Sequence, residues 1–220
     1  MIQSVSGGVL QGDRLSVAIS VAAGARARVG TQSAQRIYEM QANYATQHIT
    51  ISVEAGGLLD YVPHPAVAHA GARFHQEIEV RVAESGVAIV ADAWCAGRVE
   101  RGEWFAYEML SGRLSARSGG RLLALDSWRS EPATLDPRGP GVLAAAPAWG
   151  TVWVVAPGVD TATIEEALWD TIEATGLRGG ASTLPGGGGA VARVLADGYE
   201  PLMEDLIHLS STVLRLRKSS

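Results

Sequence analysis

Apolar and polar residues alternate in three stretches of the first half of the chain. They cover residues 15–21, 49–53 and 78–82. A period of two, with many β-branched residues, is typical of strands that bury one face. Each stretch ends in a glycine-containing turn, after which a second short apolar stretch begins. The pattern therefore predicts three strand–turn–strand units.

These three units form a weak internal repeat. Val21 and Val53 are 32 residues apart, and Val53 and Val82 are 29 residues apart. Such a repeat indicates stacked layers, in which each layer buries its apolar face on the next. Ordinary β-hairpins in a sandwich would give a similar pattern, so the sequence leaves both arrangements open.

The strand signals continue through the middle of the chain. Leucine-rich stretches flank the turn Ser118-Gly119-Gly120 within residues 104–129, and this predicts a hairpin. Residues 130–147 are rich in proline, glycine and alanine and predict a long connection. Residues 151–156 predict a short buried strand.

Near residue 160 the apolar period changes to that of a helix. Asp160 or Thr161 is a suitable N-cap, and Gly176 is a suitable C-terminal glycine. Three apolar residues between them share one face: Ile164, Leu168 and Ile172.

A second helix is predicted at the end of the chain. Pro201 suits its first turn. Its apolar stripe consists of Leu202, Leu206, Leu209 and Val213. Residues 179–189 predict a flexible glycine loop before it, and residues 190–196 predict a last strand. The expected fold class is mainly β, with stacked or sandwiched β-sheets and about two helices in the C-terminal third.

Composition excludes several functions. Apolar residues make up 47% of the chain and charged residues 19%, the balance of a globular protein. The formal net charge of −5 gives no basic field for nucleic acid or an anionic membrane. Cys95 is the single cysteine, so an internal disulfide is impossible, which agrees with a reducing cytoplasm. We expect neither a nucleic-acid nor a membrane partner.

Enzymatic motifs are missing from the sequence. There is no Gly-x-Ser-x-Gly nucleophile turn, and the glycine run 186–189 lacks the Lys-Ser/Thr of a phosphate loop. Asp92 near Trp94, and Glu100 near Glu103, are acids that could lie inside the protein. We expect them to be solvated surface charges instead.

Four segments, in order along the chain, carry a family resemblance. They are residues 7–15, 31–38, 59–74 and 97–105, and we call them motif segments one to four. Together they resemble the urease accessory proteins of the UreD (UreH) family. The matching residues are Gly7, Gly8, Gly12, Asp13, Thr31, Gln32, Tyr38, Pro63, His64, Pro65, Gly71, Ala72, Arg73, Gly97, Arg98, Gly102, Glu103 and Phe105.

The resemblance implies a non-catalytic scaffold in the cytoplasm. Proteins of this family bind apo-urease and recruit UreF, which holds the nickel-carrying GTPase UreG. The family fold is mostly β-strands with a few helices, and a water-filled passage is its proposed nickel route. No tightly bound cofactor is implied, and nickel would be in transit. The alternatives are a stand-alone nickel-binding protein and an unrecognised hydrolase.

Two features depart from the family pattern. Family members usually carry some tens of residues before the Gly-Gly of motif segment one, whereas Met1 is six residues before Gly7. We therefore expect residues 1–220 to form a single UreD-like domain without the usual N-terminal extension. The second departure is His69-Ala70, where the family more often has a large apolar residue.

Histidines are the candidate metal contacts. Imidazole suits nickel, but His64 and His69 supply at most two ligands with no third nearby in sequence. His48 and His75 belong to strand patterns, and a single cysteine such as Cys95 is usually a buried small side chain. We expect no firm metal site, and only transient nickel contacts at His64 and His69.

Overall fold

The computed structural model of the protein describes residues 1–219. Two β-sheets pack face to face, and two α-helices cover the outer face of the larger sheet. The helices are α1 (Thr161–Thr175) and α2 (Tyr199–Ser219). The strands are β1 (Arg14–Val21), β2 (Arg26–Val29), β3 (Gln35–Ile37), β4 (Ala45–Val53), β5 (Leu58–Tyr61), β6 (Ala66–Ala68), β7 (Arg73–Val82), β8 (Val87–Cys95), β9 (Met109–Ser118), β10 (Arg121–Ser130), β11 (Ala148–Val155), β12 (Arg178–Thr183) and β13 (Gly189–Ala196). The predicted fold class is confirmed.

The repeat is a stack of layers. In the five-stranded sheet β1, β4 and β7 pair in parallel, and Val21, Val53 and Val82 lie side by side. In the eight-stranded sheet β2, β5 and β8 also pair in parallel. The spacings of 32 and 29 residues are therefore the lengths of successive layers, and the hairpin alternative is excluded for these strands. β3 and β6 also pair in parallel, and β6 joins them to the eight-stranded sheet through β8.

The remaining strands close both sheets. β9 and β10 form the predicted hairpin, and β11 lies between β8 and β13. Asp160 caps α1 by accepting a hydrogen bond from Thr163 N at 3.1 Å. Gly176 ends this helix with a φ of 70°. The predicted apolar stripes of both helices are buried against the sheet. None of the helices within residues 1–219 is long and apolar enough to cross a membrane.

The prediction of a flexible loop over residues 179–189 is wrong for its first half. Residues 178–183 form β12, which pairs antiparallel with β13. A Cβ at Gly179 would lie 2.3 Å from Arg193 O. Glycine in this strand therefore permits close approach of a neighbouring backbone, which is a known reason for glycine inside strands.

The two faces of β8 contact different parts of the core. Its odd-numbered residues from Val87 to Cys95 face the helices. Its even-numbered residues from Ala88 to Trp94 point between the two sheets, where two separate apolar clusters lie. Because side chains alternate along a strand, β8 contributes residues both to the core beneath the helices and to the sandwich interior.

Candidate functional site

A carboxylate interrupts the apolar row that β8 presents to the sandwich interior. Between the buried side chains of Val90 and Trp94, this row contains Asp92. From the opposite sheet, Gln76 Nε2 donates a hydrogen bond to Asp92 Oδ1 at 2.7 Å. Gln76 is itself 7% exposed. A polar contact therefore crosses the space between the sheets.

Neighbouring strands extend this contact into a polar layer. Gln47 pairs with Gln76 in register, and Thr151 pairs with Asp92. Arg193 pairs with Thr151, and Arg193 Nη2 lies 3.0 Å from Asp126 Oδ2. We define the polar layer as these six residues: Gln47, Gln76, Asp92, Asp126, Thr151 and Arg193. It separates the two apolar clusters of the sandwich interior.

Two cavities meet this layer. Cavity A has a volume of about 330 Å³ and is lined by the N-terminal segment, residues 31–36 and His64. Cavity B has a volume of about 620 Å³ and lies beneath the 130–143 connection, with tryptophans in its wall. Asp92 lines both cavities. The polar layer therefore lies at the junction of the two cavities.

Asp92 is an unusual acid. Burial raises its pKa to about 6, hydrogen bonding to the side chains of Trp94 and Gln76 opposes the shift, and the charge of Asp126 adds to it. At pH 7 the group is still mostly a carboxylate. Within residues 1–219 it has no ion-pair partner, because Arg193 is paired with Asp126. A poorly solvated carboxylate without a cation attracts cations.

The expectation that these acids are surface charges is wrong for Asp92 and correct for Glu100, which is exposed. Asp92 lies at an inward position of β8, and burial follows from the strand's alternation. The signal in the sequence was a polar residue at an inward position of a strand. The same signal marks Gln47 and Gln76, which sequence reasoning did not single out.

The four motif segments converge, and hydrogen bonds link consecutive segments. The bonds run from Tyr38 Oη to Gly7 O (3.0 Å), from His64 N to Thr31 Oγ1 (2.9 Å) and from Ala70 N to Glu103 Oε2 (3.3 Å). Arg98 forms a two-pronged ion pair with Glu103, and this pair closes the fourth segment. The motif residues thus hold the layers together.

Two motif glycines have a steric role where the motif segments meet. A Cβ at Gly8 would lie 2.6 Å from Arg36 O, and one at Gly97 would lie 2.2 Å from Glu103 O. Gly97 also has a φ of 146°, which residues with a side chain rarely adopt. These positions need glycine for packing rather than for binding a ligand.

The two candidate histidines occupy different environments. His69 is buried beside Tyr38, with the ring centroids 4.9 Å apart. Burial, and then Arg98, lowers its pKa, so it is neutral at pH 7. His64 lines cavity A, and its Nδ1 lies 2.5 Å from Tyr199 Oη. The structure does not place both in one cavity, and their transient nickel contact stays a prediction.

Other potential ligands are engaged elsewhere. His48 lies 3.6 Å from Glu79, and His75 Nδ1 is hydrogen-bonded to Ser111 Oγ. Burial raises the pKa of the Cys95 thiol to about 12, so it is not a thiolate at neutral pH. No group of three or more histidine, cysteine, aspartate or glutamate residues in the described part of the chain could hold a metal ion.

Comparison with known proteins agrees with the motif segments. The family model described as "UreD urease accessory protein" matches residues 1–219. The urease accessory protein UreD of Haloarcula marismortui is 41% identical over 93% of this chain and 69% of its own length. Those of Natronomonas pharaonis and Cenarchaeum symbiosum are 40% and 38% identical, over 88% and 89% of this chain and 65% and 69% of their own lengths. The chain thus spans about two thirds of these relatives, and it belongs to the UreD family of urease accessory proteins.

Proposed function

We propose that the chain is a non-catalytic scaffold for urease maturation, in which residues 1–220 form a single UreD-like domain. It binds apo-urease and recruits UreF, which holds the GTPase UreG, in the cytoplasm. Family membership supports this role, since the relatives are named as urease accessory proteins. The sequence contains neither a nucleophile turn nor a phosphate loop, which agrees with a function that depends on binding.

The polar layer is our candidate for the route of nickel through the scaffold. The observation that supports this proposal is the position of Asp92, which lines cavities A and B and lacks an ion-pair partner within residues 1–219. A carboxylate that lines two cavities attracts a divalent cation, and Coulomb attraction strengthens as the local dielectric falls. A single carboxylate, however, gives too few ligands for tight binding. The ion would be attracted and then released.

The variant Asp92→Asn tests the proposed nickel route independently of the proposed scaffold function. Asp92→Asn removes the charge but keeps an oxygen that can accept from Gln76. We expect capture of UreF and apo-urease in a pull-down to be unchanged. Urease activation in a reconstituted assay should slow about tenfold, which corresponds to ~1.4 kcal/mol of lost attraction. Glu100→Gln removes the same charge from an exposed position and should leave both readouts unchanged.

The outcomes are distinct. If Asp92→Asn activates urease at the normal rate while partner capture persists, the scaffold proposal stands and the route is wrong. If the unmodified chain captures neither UreF nor apo-urease, the scaffold proposal is wrong. The alternative of a stand-alone nickel-binding protein requires a tight, stoichiometric nickel site in calorimetry that the double variant His64→Ala, His69→Ala abolishes.

A further inference from the structure

Cavity B lies where the two sheets differ in width. The five-stranded sheet ends at β10, whereas the eight-stranded sheet continues past β11 to β13 and β12. The connection over residues 130–143 covers the space beside β10, and cavity B lies beneath it. All residues that line this cavity fall between positions 92 and 195, so both ends of the chain lie outside its wall. Its volume of about 620 Å³ is in the range of pockets that hold small organic molecules, about 300–1,000 Å³.

Three tryptophans form one side of cavity B. Trp94 and Trp149 are register partners on β8 and β11, and Trp128 comes from β10 of the other sheet. The Trp128 ring centroid lies 5.0 Å from that of Trp94 and 6.2 Å from that of Trp149, nearly perpendicular to both rings. Gly112 leaves room for this indole, since a Cβ there would lie 2.4 Å from Trp128 Nε1. Tryptophan is the aromatic side chain that attracts cations most strongly through its ring.

The charges around cavity B are balanced except for one. Three arginines line the cavity, and each has a carboxylate partner: Arg129 with Glu131, Arg178 with Asp197 and Arg193 with Asp126. Within residues 1–219, Asp92 is the lining carboxylate without an ion-pair partner. Asp92 and Trp94 occupy successive inward positions of β8. Cavity B therefore combines an uncompensated negative charge with a tryptophan wall.

The cover of cavity B can move without breaking a backbone hydrogen bond to the rest of the protein. In the part of the chain that the structure describes, the backbone bonds of residues 132–146 stay within residues 131–146. Examples are Leu143 N to Pro137 O and Ala146 N to Leu143 O. The cover packs on the body of the protein through apolar side chains, such as that of Leu143. A ligand can therefore enter by displacing the cover.

We propose that cavity B binds a small alkylated ammonium ion, whose charge is compensated by Asp92 and whose alkyl groups contact the tryptophans. An alkylated ammonium suits this wall because it needs no hydrogen-bond acceptors, and aromatic rings bind such ions. A primary ammonium is strongly hydrated and has three donors to satisfy. The inference goes beyond the proposed function, since neither a scaffold nor a nickel route requires an organic ligand.

Calorimetric titration of the full chain with choline provides the test. We expect one site per chain with a Kd on the order of 1 mM or tighter. The uncharged 3,3-dimethylbutan-1-ol has nearly the same shape as choline and should bind about tenfold more weakly, because it lacks the attraction to Asp92 and to the rings. Equal binding of the two compounds would overturn the proposal, because cavity B would then be an apolar pocket only.

A capped lysine distinguishes a free alkylated ammonium from the side chain of a partner protein. Nα-acetyl-lysine methylamide carries a primary ammonium, and we expect it to bind about tenfold more weakly than choline because of its hydration. Binding as tight as that of choline would overturn the assignment to an alkylated ion and would indicate a lysine of another protein.

Variants of the cavity wall locate the site. Asp92→Asn keeps the shape of the side chain without its charge and should weaken choline binding about tenfold. Trp128→Leu should weaken it about fivefold, and Trp128→Phe, which keeps a ring, should weaken it less. Trp169→Leu is the matched control, since Trp169 is an exposed tryptophan of α1 outside the cavity, and it should bind choline normally.

The outcomes are separate from those of the proposed function. Circular dichroism shows which variants fold, and Asp92→Asn decides the test if Trp128→Leu does not fold. Undiminished choline binding by folded Asp92→Asn would overturn the proposal, and so would equal losses in Trp128→Leu and Trp169→Leu. No titration contains urease, nickel or another protein, so choline binding can fail while the scaffold and the nickel route stand.

Discussion

Two aspartates, one buried and one half-buried, lie on opposite faces of the eight-stranded sheet and have opposite surroundings. Asp60 points toward α2 and is 2% exposed. It accepts a hydrogen bond from Ser210 Oγ at 2.6 Å, and Arg28 Nε lies 3.1 Å from its other oxygen. Asp92 points into the sandwich interior, where its side-chain partner is the uncharged Gln76. One carboxylate is neutralised and the other is not.

The comparison distinguishes a structural acid from a functional candidate. Asp60 fixes the helix layer to β5, because Ser210 of α2 donates a hydrogen bond to it and Arg28 of β2 neutralises its charge. Asp92 links the two sheets through the neutral Gln76, and it keeps a charge that burial disfavours. Proteins retain such unfavourable ionisable groups mainly where function needs them. Asymmetry between the two faces therefore supports the nickel route more than any motif residue does.

Removal of Asp60 should have the largest effect on stability. Asp60→Ala leaves the buried hydroxyl of Ser210 without its acceptor and removes the ion pair with Arg28. We expect a loss of ~3 kcal/mol in the free energy of unfolding, measured by urea denaturation. Asp60→Asn keeps an acceptor for Ser210 and should lose less. Equal losses in the two variants would mean that charge, rather than the hydrogen bond, is what Asp60 contributes.

Replacement of Asp92 should raise the free energy of unfolding, whereas replacement of Asp60 lowers it. The folded-state pKa of about 6 lies above the ordinary value of 3.8, so ionisation costs stability in the folded protein. The cost is absent below about pH 4, grows between pH 4 and 6, and is complete above pH 6. Asp92→Asn should therefore be more stable by about 1–2 kcal/mol at pH 8, because water in the cavities reduces the full linkage value. At pH 4 the two proteins should be equally stable, and a constant difference would contradict the buried charge.

A smaller effect is expected from replacing Gln76, the uncharged hydrogen-bond donor to Asp92. Gln76→Leu removes the hydrogen bond that stabilises the ionised form of Asp92, so the Asp92 pKa should rise further above 6. Carbon-13 NMR of the aspartate carboxyl groups would measure this rise. We expect a change of about one pKa unit, the size of one net hydrogen bond to a charged group. An unchanged pKa would indicate that cavity water already solvates the carboxylate.

Sequence reasoning predicted the elements better than the site. The layer spacing could be predicted from the positions of Val21, Val53 and Val82, and the start of α1 from Asp160. Both were predictable because strand period and helix capping are local properties of a chain. Asp92 was misplaced because one strand's pattern does not say whether its second face meets solvent or another sheet. That information requires the pairing of β8 with β11 and its packing on β7, both of which are long-range contacts.

The smallest effect concerns the contact between α2 and cavity A. The rings of Tyr199 and His64 stack with centroids 5.8 Å apart, and Tyr199 Oη lies 2.5 Å from His64 Nδ1. Burial raises the pKa of Tyr199, so the phenol keeps its proton. We expect it to donate to Nδ1, which leaves the imidazole proton on Nε2. In this tautomer neither ring nitrogen is free to bind a metal ion.

Tyr199→Phe therefore tests whether His64 anchors the helix or contacts nickel. If the pair is only an anchor, the variant should lose about 1 kcal/mol, or ~2–4 °C in Tm, because one hydrogen bond is gone and the ring stacking remains. Urease activation at a temperature where both proteins are folded should then be unchanged. Loss of the phenol also frees Nδ1, so a nickel contact at His64 would alter the activation rate while partner capture stayed constant. His64→Ala in the Tyr199→Phe background distinguishes the cases, since it would reverse a rate change that arises from the freed imidazole and would leave an anchor-only protein unaffected.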